Sequence, residues 1–208
     1  TLFKDSAKTV IRNANNAFKT AQLSANDYMS TVTSFSASLL QGLGGDTAKA
    51  AEIADMAIID MADNANKMGT NMQDIQNAYQ GFAKQNYTML DNLKLGYGGT
   101  QSEMIRLIND SGILNEKIED LDNVTFDQMI QAIHKVQQNL QRLVKAVAAL
   151  EQIAGLVKGS IRIGRRTGGR KALKSVQLLG LKQLVFQKVC NSFRYLGVFG
   201  SVRALKAI

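Results

Sequence analysis

Apolar residues recur along most of this chain at helical spacing. Tyr28, Val32, Phe35 and Leu39 form the first clear stripe, with Ser24 placed to cap it. Gly42, Gly44 and Gly45 break the pattern, and Asp46 can cap the next helix. There Ala50, Ala54, Ala57, Ile58, Met61, Ala65 and Met68 share one arc, opposite Lys49, Glu52, Asp60, Asp63 and Lys67. Ile53, Met56 and Ile59 fall on or near that polar side, so the pattern allows contacts on both faces, with packing inside the domain the simpler reading. Gly69 ends this segment. Three S/T-x-x-E/Q capping boxes follow, at Thr70–Gln73, Thr100–Glu103 and Thr125–Gln128. The first precedes Met72, Ile75, Tyr79 and Phe82, and from there helical spacing runs on into Lys94. The second precedes Met104, Leu107 and Ile108, and the third opens a stripe of Phe126, Met129, Ile130, Ile133, Val136 and Leu140. The predicted fold is all-α: amphipathic helices joined by short glycine-containing turns, followed by a basic C-terminal segment.

Past residue 140 the punctuation changes. Residues 143–157 can extend the preceding helix to about 158. Residues 162–171 are basic and glycine-rich with no apolar period, and 172–208 show no clear repeat of 2 or 3.6. Composition supports the helical reading: among 208 residues there is no proline and no tryptophan, and 45% are apolar. The chain opens at Thr1 rather than Met, which predicts a piece of a longer protein. Lys4 and Asp5 interrupt any leader-like run and no apolar stretch is long enough to span a bilayer, so synthesis in the cytoplasm is the expectation.

Charge divides the chain in two. Residues 1–140 carry 11 Lys and Arg against 16 Asp and Glu, a net of −5. Residues 141–208 carry 14 against 1, a net of +13, and the two parts together give the whole chain's +8. All 8 methionines lie at or before Met129. Two domains are therefore expected, 1–140 helical and 141–208 basic.

Catalytic and ligand motifs do not emerge. A phosphate loop needs its lysine after the glycines, whereas Lys94 precedes Gly96, Gly98 and Gly99, and GxGxxG also fails. Leu95-Gly96-Tyr97-Gly98 is superficially like a potassium filter, but no membrane helices surround it. The simpler reading is a turn in which Gly96 and Gly98 supply positive φ and Tyr97 packs back. His134 is the single histidine, and the sequence shows no carboxylate or nucleophile beside it. Asp60 with Asp63, and Glu116 with Glu119 and Asp120, lack EF-hand spacing and read as solvated helix faces. Cys190, the single cysteine, has Lys188 and Arg194 nearby but no histidine in its segment. No catalytic, cofactor-binding or metal-ligating residue is assigned. The cluster Arg165, Arg166, Arg170 and Lys171 could neutralise nucleic-acid phosphates or anionic lipid headgroups.

One resemblance adds to this reading. TVTSFSASLLQ at 31–41, GGD at 44–46, ADMA at 54–57 and MADNANKMG at 61–69 resemble tape measure proteins of tailed bacteriophages. The likeness is strongest in IQNAYQGFAKQNYTMLDNLKLGYGGT at 75–100, a run typical of phages and prophages of Gram-positive bacteria. It covers roughly residues 1–140. It implies a helical, non-enzymatic virion protein that extends in the tail lumen, sets tail length during assembly and leaves during DNA ejection. Tail-tube subunits, tail chaperones and tail-tip proteins are its implied partners, and self-association is compatible with it. The implied location is the virion tail, after synthesis in the host cytoplasm. Family members are far longer and continue after the equivalent of Val136-Gln137-Gln138 through a Thr/Gly/Ala-rich segment, which Gln141 onward does not match. A frameshifted or rearranged gene from a decayed prophage accounts for that break. The rival is a true fusion to a cationic segment that binds membranes or nucleic acid.

Overall fold

The computed structural model describes residues 2–166, with side chains described as far as Gln152. All of the regular structure in it is helical: α1 (Ala7–Ala21), α2 (Ala25–Gly42), α3 (Thr47–Met68), α4 (Met72–Phe82), α5 (Gln101–Ser111) and α6 (Phe126–Arg166). Short 3-10 turns lie at Lys4–Ser6 and Leu90–Leu93. The chain divides into two compact units, Thr1–Gln138 and Asn139–Ile208.

In the first unit α3 is the central element. Ala50, Ala54, Ala57, Ile58 and Met61 of its alanine-rich arc are fully buried, with α1, α2 and α4 as its neighbours, while Ala65 and Met68 at the end of the arc are half-buried. The stripes of the other helices supply the rest of the core: Tyr28, Phe35 and Leu39 from α2, Ile75, Tyr79 and Phe82 from α4, and Met104 and Leu107 from α5. Phe126, the first residue of α6, meets Phe35 edge to face with centroids 5.9 Å apart. Burial on this scale is the main favourable term in the fold, on the order of 2 kcal/mol for each large apolar side chain.

α1 has no counterpart in the stripe reading above. Its buried line is Val10, Ala14, Ala17 and Ala21, small residues that let the helix lie close to its neighbours. Its largest apolar residues, Ile11 and Phe18, point out.

The caps follow the sequence with shifts. Ser24 and Asp46 cap α2 and α3, accepting from the backbone amides of Asp27 and of Ala48 and Lys49. At α4 the cap is Asn71, not Thr70: the Asn71 carboxamide oxygen accepts from the Gln73 amide at 2.7 Å, and Thr70 Oγ1 is buried with no partner. Each remaining box closes by one half. Thr100 Oγ1 accepts from the Glu103 amide, whereas the Glu103 carboxylate turns to the amide of Gly98. At α6 the Gln128 side chain accepts from the Thr125 amide.

The expected continuation of helix from Phe82 to Lys94 is not what forms. α4 stops at Phe82, and the Gly81 carbonyl accepts from the amides of Lys84 and Asn86. Tyr87, Leu90, Leu93, Leu95 and Tyr97 are then buried from an irregular connector around the 3-10 turn. Apolar residues two to four apart suit a helix, yet here they are the inward points of a folded loop.

In the second unit, α6 continues past the expected end near 158 and reaches Arg166, so Gly164 lies inside a helix. Residues 139–152 are all half-buried or exposed.

Candidate functional site

α3 and α6 meet across the face of α3 that reads as polar. Asp60 lies there with 8% exposure, so its expected place on a solvated face is corrected. The cause is His134 on α6, whose Nδ1 stands 2.8 Å from Asp60 Oδ2 and 3.0 Å from Oδ1. Gln137, one residue before the first unit ends, donates its side-chain amide to the Asp60 carbonyl at 2.8 Å. On the other side of the ring, Gln138 Nε2 is 2.8 Å from His134 Nε2. With Asp60 ionised, the ring donates from Nδ1 and accepts from Gln138 at Nε2. Burial pushes the Asp60 carboxyl up to about 6, and the adjacent His134 opposes that rise. Asp63 pushes in the same direction as burial, while Lys67, paired with Asp63 at 2.6 Å, opposes it. Tyr79, buried beside Asp60, has its phenol held well above the ordinary range, first by desolvation and then by that carboxylate.

A groove of about 460 Å³ opens beside this pair, with Ile53, Met56 and Ile59 as its apolar lining and Glu52, Asp55 and Gln131 among its polar residues. Asp55 accepts from the Tyr28 hydroxyl at 2.7 Å. In a hydrolytic triad the second ring nitrogen faces a nucleophile. Here Gln138 holds that place, and Asp60 and His134 bridge α3 and α6.

The turn at 94–100 is closed by its own side chains. Gly96 has φ +88°, as expected, but Gly98 does not have positive φ, which corrects that expectation. Lys94 adopts the left-handed conformation instead, with φ 49°. Gly99 is required for a different reason: a Cβ there would run into the Thr88 carbonyl. Tyr97 packs back with 6% exposure and donates to Asp110 at 2.9 Å. Arg106 stacks 4.6 Å from the Tyr97 ring centre, donates to the Gly96 carbonyl and pairs with Glu103. The Gly98 amide, which a bound anion would need, already receives the Glu103 carboxylate at 3.0 Å. An internal carboxylate occupies the place a phosphate oxygen would take.

Glu116, Glu119 and Asp120 are exposed, but they lie in the irregular loop between α5 and α6 and not on a helix face, which corrects that part of the expectation. Arg165 and Arg166 lie in the last turn of α6, while Arg170, Lys171 and Cys190 lie outside the described residues. Among the described residues, no three His, Cys, Asp or Glu side chains are grouped to hold a metal ion, and no helix is long and apolar enough to cross a membrane. Sequence reading missed the Asp60–His134 pair, whose members stand 74 residues apart. The signal available was Ile53, Met56 and Ile59 on the polar side of α3, which marked a second packed face.

No family model, curated protein or solved structure matches the chain.

Proposed function

We propose that this chain is a segment of a phage tail protein of the tape measure type, with a structural role in tail assembly and length determination. Its support is the family-like run at 75–100. The buried side chains of that run serve the helical core, and the polar groups of its glycine turn are engaged by Glu103, Arg106 and Asp110. That is how a structural element spends its residues. Tail-tube subunits, tail chaperones and tail-tip proteins are the partners in this reading, and the assembled virion tail is its location. The test is assembly of tails from the neighbouring tail genes with the gene for this chain present, deleted, or shortened in frame within residues 1–140. The chain should be found in tail precursors by mass spectrometry, and deletion should abolish tubes of uniform length. If the segment stays helical in the tail, each removed residue should shorten the tube by about 1.5 Å. Uniform tubes of unchanged length without the gene would refute the reading.

A second reading concerns residues 141–208, whose net +13 suits phosphates or anionic headgroups. The observation favouring it is that α6 carries helix into the basic stretch as far as Arg166, which sets Arg162, Arg165 and Arg166 on a helical repeat. Binding of the full chain to DNA or to phosphatidylserine vesicles should then weaken steeply with salt. It should also fall when Arg165, Arg166, Arg170 and Lys171 are replaced by alanine. Salt-independent binding, or none, would exclude it.

A further inference from the structure

α1 departs from the acidic balance of the unit that contains it. Within Ala7–Ala21 there are three cations, Lys8, Arg12 and Lys19, and no acidic residue, while residues 1–140 as a whole stand at −5. The same helix exposes two large apolar side chains, Ile11 at 52% and Phe18 at 75%. Seven residues apart, they stand nearly in line along one side of the helix, about 10 Å from each other. Burying them inside the molecule is not open to this fold, because the Val10, Ala14, Ala17 and Ala21 line already fills the inward face.

The groove beside α3 has the opposite character. Its lining is Ile53, Met56 and Ile59, and its anions are Glu52, Asp55 and Asp60, with Lys49 also present. The groove follows α3 from Lys49 to Asp60, and its apolar part, from Ile53 to Ile59, covers about 9 Å. Asp55 and Asp60 are held by Tyr28 and His134, which leaves Glu52, exposed and outside any ion pair among the described residues, to meet a cation. No α1 residue lines this groove, so the ridge and the groove are separate patches of one surface.

We propose that the exposed ridge of α1 docks into the α3 groove of a second copy of this chain, with Phe18 and Ile11 against Ile53, Met56 and Ile59 and Arg12 or Lys19 facing Glu52. The occupant is identified by complementarity: a basic apolar ridge and an acid-edged groove whose apolar part is of similar length occur on the same molecule. Because the two patches differ, the contact is head to tail and leaves a free ridge at one end and a free groove at the other. Such a contact extends into an open row of copies unless the rotation happens to close a ring. Charge steers the encounter, and the buried aromatic anchor holds it. The inference stands independently of whether the chain works in a phage tail.

Two exposed positions allow a test that leaves the fold alone. Phe18→Asp removes the ridge and Glu52→Lys reverses the groove. Sedimentation velocity of the full chain should show mass rising with concentration, less so at high salt. Each variant alone should lose association by about tenfold or more, and an equimolar mixture should form one-to-one pairs that grow no further, because each variant keeps one working patch. Circular dichroism melts should match the parent's. A monomeric parent at all concentrations would overturn the proposal. So would association untouched by either variant, which would place the contact elsewhere on the chain, and so would a mixture that does not pair. Binding of Phe18 to anionic vesicles without self-association would also overturn it and assign the ridge to a lipid surface.

Discussion

At the scale of single residues, the most consequential atoms are those of Asp60. Its folded-state value of about 6 lies above the ordinary 3.8, so the native chain holds a proton that the unfolded chain releases. The stability this contributes is complete below about pH 3.8 and lost as pH rises through about 6. Asp60→Asn removes that dependence, so the variant should gain on the parent as pH is raised from about 4 to about 6. Urea unfolding at a series of pH values measures it, and a difference that does not change with pH would refute it. His134, Asp63, Lys67 and Tyr79 are the other groups facing this carboxylate, and all remain in the variant. The glycines of the 94–100 turn separate just as clearly. Gly99→Ala forces a Cβ against the Thr88 backbone and should cost about 1–3 kcal/mol. Gly98→Ala meets only the Glu103 side chain at 3.6 Å and should stay within about 0.5 kcal/mol. Sequence shows that a turn is needed here. Which glycine supplies φ and which supplies room depends on Thr88, eleven residues upstream, and no local rule reveals that.

For whole elements, periodicity is a good guide where one face is buried and a poor one elsewhere. The stripes of α2, α4, α5 and the start of α6 are buried nearly as written, with Met72 and Leu140 half-buried at their ends. α3 is harder to read because it is packed on both sides, and a carboxylate paired across a helix interface has the same one-letter code as a solvated one. α1 is hidden for the opposite reason: its inward residues are small and its large apolar residues face out. The cap of α4 moved by one residue because Asn71 can reach the amide of Gln73 while Thr70 is turned inward. Asn71→Ala should therefore cost about 1 kcal/mol. Thr70→Val, which removes a buried hydroxyl that has no partner, should be neutral or stabilising. Thermal melts of the two variants decide between the sequence register and the structural one, and a larger loss at Thr70 would restore the former.

Across the whole molecule, the change in composition near residue 140 falls close to the division between the two compact units, whose first ends at Gln138. Among the described side chains, the buried residues that α6 contributes, Phe126 through Gln137, are all on the near side of that division. A chain ending at residue 140 should accordingly melt cooperatively with a midpoint close to that of the full chain, measured by circular dichroism. A broad or absent transition would mean that the basic segment is needed for the core. The all-α class was legible because helical spacing, caps and the absence of proline agree over most of the first 140 residues. The pairing of α3 with α6 was not, because it rests on contacts between residues more than 70 positions apart. That same pairing has a practical consequence, since it involves the one histidine of the chain. A single imidazole gives one set of ring nitrogen resonances, free of overlap from any other. With Nδ1 protonated against Asp60 and Nε2 accepting from Gln138, its ¹⁵N shifts become an unlabelled-by-mutation reporter of whether the last helix of the core is seated or has come away.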